Sequence, residues 1–215
     1  MTSKDFISEL ESIALGYKNE VPKRELFALA KEFQKLPLNE VEKLLQEEDE
    51  NHRLGAVAIL DWKARNKKTT EAEKHSIYQV YIVHNERIDN WGMVDRAAPY
   101  VVGGYLFDKD RSPLYELAKS TNAMERRTAI VSTYFFIRKD EVDDTFKIAE
   151  ILINDENEYV QKAVGSWVRE AGKRDGKRLL AFLDKYAAIM PRVSLRYMLE
   201  KLNSSLKKHY LNLKN

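Results

Sequence analysis

Apolar residues recur along this chain at intervals of three and four, the period of helices that bury one face. Phe6, Leu10, Ile13 and Ala14 form the first such stripe. Val21-Pro22-Lys23 interrupts it, and Pro22 suits the first turn of the next helix. Leu26, Leu29, Ala30 and Phe33 make a second stripe that Leu36-Pro37-Leu38 ends. Asn39 reads as the cap of a third helix through Val41, Leu44 and Leu45. Leu54, Ala58, Ile59 and Trp62 share a face between Asn51 and Ala64, and Thr70 caps a helix holding Ile77, Val80, Tyr81 and His84. Asp89-Asn90 opens a helix from Trp91 to about Phe107, which Pro99 and Gly103-Gly104 should kink or interrupt.

The second half repeats the pattern. Ser112-Pro113 starts a short helix to Lys119, and Asn122 or Thr121 caps a longer one carrying Ile130, Thr133, Tyr134 and Ile137. Asp140 to Ile153 and Asn157 to Ala171 follow; the latter has Val160, Ala163, Val164, Trp167 and Val168 in register, which places Trp167 in the core. Gly172 and Gly176 punctuate the chain before a helix over residues 177–187. Pro191 begins another to Leu202, and Ser204 to Tyr210 forms the last. The pattern predicts about twelve helices with short joints and no strand of period two. No strict motif repeats, but helix pairs spaced about 35–40 residues apart resemble a HEAT-type array. The expectation is an all-α, right-handed superhelical HEAT-like repeat solenoid, a single domain over 1–215, with a globular helical bundle as the alternative. Stacked pairs would share one continuous core and present a curved inner face.

Composition narrows the chemistry. Hydrophobic residues are 44% and charged residues 33%, with 8 Gly and 5 Pro, too few for a turn-rich β fold. The chain has no Cys, which removes disulfides, thiolate catalysis and Cys-based metal sites. Its four His are scattered, so no metal is expected, and no phosphate loop, dinucleotide fingerprint or nucleophile elbow implies a cofactor. No uncharged apolar run is long enough to span a membrane, and no signal-peptide pattern precedes the first helix, so the expected compartment is the cytoplasm. The net charge of +2 conceals an asymmetry. Residues 1–50 carry a net −5, whereas residues 162–215 hold 13 Lys and Arg against 4 Asp and Glu, a net +9. A basic final quarter on a curved helical array would form a concave basic groove for an acidic polymer, and nucleic acid is the expected partner.

Several residues stand out as candidates. Trp91 and Asp95 lie four apart and share a helix face. An accessible ring there could stack on a base or sugar, and the carboxylate could oppose a developing cation. From spacing alone, the plainer reading is a core ring and an ordinary surface acid or first-turn charge favoured by the helix dipole. Arg126 and Arg127 point in different directions; one would face the groove and clamp a phosphate while the other pairs with an acid. Lys162, Arg169 and Lys173, with Ser166 on the same flank, make a phosphate stripe that Arg174, Lys177 and Arg178 continue, and Arg192 and Arg196 could extend it. A solvated basic surface with no partner is the plain alternative.

Ile88-Asp89-Asn90-Trp91-Gly92-Met93-Val94-Asp95 resembles a pattern of the bacterial DNA alkylation repair family, HEAT-like repeat DNA glycosylases. The resemblance continues through Ala98-Pro99-Tyr100, Arg126-Arg127-Thr128-Ala129-Ile130 and Lys162-Ala163-Val164-Gly165, and ends near Pro191-Arg192-Val193-Ser194-Leu195-Arg196, covering about residues 10–205. It implies removal of cationic N3- and N7-alkylated purines from duplex DNA, without a deep base-flipping pocket. It also implies a monomer acting on double-stranded DNA with alkylated bases, needing no metal or organic cofactor. By position it assigns the lesion contacts to Trp91 and Asp95 and the family arginine to Arg127. The family's second Trp falls on Ser166, with Trp167 one place late; that offset is about 100° around a helix.

The implied chemistry is coherent. A cationic alkylpurine leaves readily, the sugar becomes oxocarbenium-like, Asp95 opposes that charge and orients water, and Trp91 adds a ring face. Two rivals stay open: a non-enzymatic HEAT-repeat protein binding bent, branched or damaged DNA, and a protein adaptor. Retention of Trp91, Asp95 and Arg127 favours the enzyme, and Ser166 favours the binding protein.

Overall fold

A computed structural model describes residues 1–213, so the last two residues of the expected 1–215 domain lie outside the described part. Among the described residues there are fourteen α-helices and no strand. They divide into two compact units, Met1–Tyr105 and a second beginning at Leu106.

The first unit contains α1 (Ser3–Gly16), α2 (Lys23–Glu32), α3 (Leu38–Gln46), α4 (Glu50–Arg65), α5 (Glu71–Val83) and α6 (Trp91–Ala98). Helices α2, α4 and α6 pack side by side as one layer, with α1, α3 and α5 against them as the other. Local chemistry sets the helix starts. Thr2 and Thr70 form reciprocal capping boxes with Asp5 and Glu73, and Asp49 and Asn90 cap α4 and α6. Asn39 is not a cap: α3 begins at Leu38 with Pro37 as the flanking residue, whose fixed φ leads the chain straight into the helix. Helix α4 is buried without interruption from Arg53 to Asp61, and Gly55 makes room there for the Phe6 ring, which would lie 2.4 Å from an added Cβ.

The expected helix from Trp91 to about Phe107 is broken into three. After α6 comes a π-helical turn, Pro99–Gly103, and then α7 (Gly104–Leu106). Pro99 has no N–H to continue the α-helical ladder, so the break falls at the proline.

In the second unit α8 (Ser112–Leu117), α9 (Ala123–Ile137), α10 (Asp143–Ile151), α11 (Glu158–Gly172), α12 (Gly176–Tyr186), α13 (Arg192–Leu199) and α14 (Ser204–Asn212) follow. Helices α9, α11 and α13 form one layer, flanked by α8 and α10 on α9, α12 on α11 and α14 on α13. Asn122 and Asn157 cap α9 and α11. Helix α10 starts at Asp143, later than the expected Asp140, because Asp140 sits at φ 61° and the left-handed residue reverses the chain. At Gly165, α11 approaches α13 so closely that a Cβ would lie 2.5 Å from Tyr197 Cβ and 2.6 Å from the Ser194 carbonyl oxygen.

Candidate active site and nucleic-acid interface

Helix α6 is anchored by Met93, Val94, Ala97 and Ala98, all buried. That burial turns Trp91 outward, 45% exposed, and leaves Asp95 half-buried one turn further along. Trp91 is therefore not a core ring. The Lys23 ammonium lies 5.7 Å from the centre of its indole. The Asn90 side chain accepts from the Met93 amide at 3.0 Å and donates to Glu50 at 3.1 Å, and the Asp89 carboxylate meets Arg53 at 2.9 Å. Both residues flanking the start of α6 are thus tied to α4.

The other end of α6 is tied to α4 by a charge cluster that has no local sequence signature. Asp61 is fully buried. Its Oδ1 accepts from Arg65 Nε at 2.7 Å, and its Oδ2 lies 3.0 Å from Arg96 Nη2. Burial pushes the Asp61 carboxyl above the usual carboxylate range, although Arg65 and Arg96 both pull it down. The Arg96 guanidinium sits 4.6 Å from the Phe27 ring and 5.1 Å from Trp62, and burial lowers its own basicity. Arg65 covers Tyr100 at 3.7 Å. The one hint in the sequence is an acid, Asp61, inside the apolar run Ile59-Leu60-Asp61-Trp62.

In the second unit the adjacent arginines part company. Arg126 takes the acid, with Nε 2.6 Å from Asp155 Oδ2, and also donates to the Ser120 and Thr121 carbonyls at 2.9 and 3.0 Å. Arg127 is 6% exposed and donates through Nη1 to the Tyr159 carbonyl, which joins α9 to the start of α11. Ser166 and Trp167 on α11 are both half-buried. Trp167 is not a core residue. Its indole lies 4.9 Å from the Tyr134 ring, which is itself half-buried, so neither ring is sealed from water. Tyr159 and Tyr197, 47% and 37% exposed, stand on α11 and α13, and sequence reasoning missed both.

The basic candidates divide into two sets. On α11, Lys162 pairs with Glu158 at 2.7 Å, Arg169 with Glu170 and Glu200, and Lys173, just past its end, with Glu170 at 2.7 Å. The expected continuation turns to different partners. Arg174 pairs with Asp140 at 3.2 Å, and Arg178 on α12 pairs with Asp143 at the start of α10 and lies over Phe146. Lys177 is exposed near the start of α12, and Arg196 is exposed on α13. Arg192 is exposed at the start of α13 and donates to the Leu211 carbonyl at 2.6 Å. Most of these ion pairs are at least partly open to solvent and worth little to the fold. Phosphates could therefore replace the acids as partners. Among the described residues no three His, Asp or Glu side chains stand together as a metal site, and no helix is long and apolar enough to cross a membrane.

Residues 19–202 match the family described as DNA alkylation repair enzyme. A solved structure from Enterococcus faecalis, described as a predicted DNA alkylation repair enzyme, superposes with a TM-score of 0.66 over 95% of this chain and 98% of its own. At 15% identity that likeness is one of fold. No curated protein matches the chain.

Proposed function

The chain belongs to the DNA alkylation repair enzyme family, and from that premise we propose that it hydrolyses the N-glycosidic bond of cationic N3- and N7-alkylated purines in duplex DNA. The observation that carries the proposal is the outward face of α6, where an exposed Trp91 and a half-buried Asp95 stand one turn apart. A purine already positive at N3 or N7 needs no added proton to leave. As the bond to C1′ stretches, positive charge grows on the sugar, and the Asp95 carboxylate opposes it and orients the attacking water. Trp91 lays a π face against the cationic base or sugar. In the second unit, Arg127, braced on the Tyr159 carbonyl, and Arg126, paired with Asp155, hold the backbone on either side of α9 from which the basic side chains reach out. Lys162, Ser166, Arg169, Lys173, Arg174, Lys177, Arg178, Arg192 and Arg196 supply the phosphate contacts. The protein acts as a monomer in the cytoplasm, and the step as drawn gives no role to a metal or organic cofactor.

One observation favours a second reading, a non-enzymatic protein that binds bent, branched or damaged DNA. Ser166 stands where the resemblance calls for a second Trp, and Trp167 is turned against Tyr134. Single-turnover incubation with duplex containing 7-methylguanine separates the two. Free 7-methylguanine is the expected product; binding without release would move the chain to the second reading.

A further inference from the structure

Three polar ties join α6 to α4. Glu50 and Arg53 on α4 hold Asn90 and Asp89 at the start of α6, and Asp61, two to three turns along α4, meets Arg96 near its end. The two starting ties lie at the surface side, with Glu50 and Asp89 exposed. The third is different in kind: Asp61 has no exposure at all, and Arg96 is wedged between the Phe27 and Trp62 rings. Arg96 Nε and Nη2 and Asp61 Oδ2 are buried without an aligned hydrogen bond. Apolar residues of similar size fill such a position at least as stably as a buried ion pair does. Stability alone therefore does not account for the cluster.

Its location supplies a reason. Arg96 directly follows Asp95, about 100° round the helix, so fixing Arg96 against α4 fixes where Asp95 points. The helix needs that constraint at this end. Pro99 cannot donate to the Asp95 carbonyl, and the backbone passes at once into a π turn, so the ladder that normally fixes helix rotation is weakened there. Arg65 stacks on Tyr100, the second residue of that turn, from the other side of the same carboxylate. We infer that Asp61, acting through Arg96 and Arg65, is a positioning residue that sets the rotation of α6 and thereby presents Asp95 and Trp91. The link to excision rests on the proposed function; the link to the rotation of α6 does not.

The absence of cysteine makes the rotation measurable. An Asp95→Cys variant carries a single thiol whose rate of reaction with an aromatic disulfide reports its accessibility. Adding Asp61→Asn, or the apolar pair Asp61→Leu with Arg96→Met, should change that rate at least about five-fold while far-UV circular dichroism and the melting transition stay cooperative. In chains that keep Asp95, the same substitutions should lower single-turnover release of 7-methylguanine at least about ten-fold, with duplex affinity within about three-fold of the parent. An unchanged thiol rate overturns the inference. So does an apolar pair that melts like the parent and excises like it, because the cluster would then be mere filling. Failure of both variants to fold also overturns it, placing the cluster in the stability of the first unit. If the parent releases no base, the proposed function falls while the thiol measurement still decides the positioning role.

Discussion

The two units use arginine differently. In the first, net −3 by sequence, Arg53 and Arg96 are drawn into the protein, Arg53 7% exposed and Arg96 packed between aromatic rings above a fully buried carboxylate. In the second, net +5, Arg174 and Arg178 reach outward to carboxylates that are themselves well exposed, whereas Arg111, Arg126 and Arg127 turn inward. A buried pair holds one geometry because breaking it strands a charge. An open pair exchanges partners at little cost. The contact of α4 with α6 is thus built to fix side chains, and the open pairs around the start of α12 to trade them. Net charge along the sequence locates the second property and says nothing of the first.

The sharpest way to break this comparison is at Asp95. Asp95→Asn keeps shape and hydrogen bonding but removes the charge set against the sugar. Single-turnover excision should fall by about 100- to 1000-fold, the scale of removing one preorganised electrostatic interaction. Duplex affinity should hold or tighten slightly. Equal rates for parent and variant would take Asp95 out of the chemistry.

Next comes Arg126→Ala, which tests whether an inward arginine of the basic unit behaves like those between α4 and α6. Asp155 has a side chain only 4% exposed and would lose its partner, as would the Ser120 and Thr121 carbonyls. Urea unfolding should show a loss of about 3 kcal/mol. A loss under about 1 kcal/mol would place the pair with the tradeable surface ones.

Trp167→Ala should cost about 2 kcal/mol, roughly half the value for a fully buried ring, because its indole is only half-buried against Tyr134. Ser166→Ala should leave the melting temperature unchanged. A larger loss at Trp167 would mean the ring is sealed in solution.

Among the charge changes, the smallest stability effect belongs to the tradeable set. Neutralising Lys173, Arg174 and Lys177 should leave stability within about 0.5 kcal/mol. It should flatten the salt dependence of duplex binding by about one unit of slope for each phosphate that is no longer neutralised. An unaltered slope would exclude these three from the interface.

Much of the fold was legible because helices announce themselves locally. Thr70, Asn90, Asn122 and Asn157 mark starts by capping, and Pro99 marks a break, all within a few residues of the effect. The outward face of α6 was legible as a motif. The errors came where tertiary packing decides. Trp167 has the spacing of a core residue, but its neighbour in space, Tyr134 on α9, is half-open and does not seal it. The Asp61–Arg96 and Arg126–Asp155 pairs join residues 35 and 29 apart, and no local pattern distinguishes them from unpaired charges. The basic stripe looked continuous along the sequence, yet the turn after α11 sends Arg174 and Arg178 to the acids of another helix layer.

The π turn at Pro99–Gly103 holds one residue more per hydrogen-bonded ring than an α-helix does. It is therefore the place where this chain tolerates a change of length. Deleting one residue inside the turn can be absorbed by a return to α-helical winding, leaving α6 upstream as it stands. Deleting one residue between Met93 and Asp95 offers no such slack and swings Asp95 through about 100°. Lineages that drift in length around this helix should gain and lose residues after Pro99 and not before it.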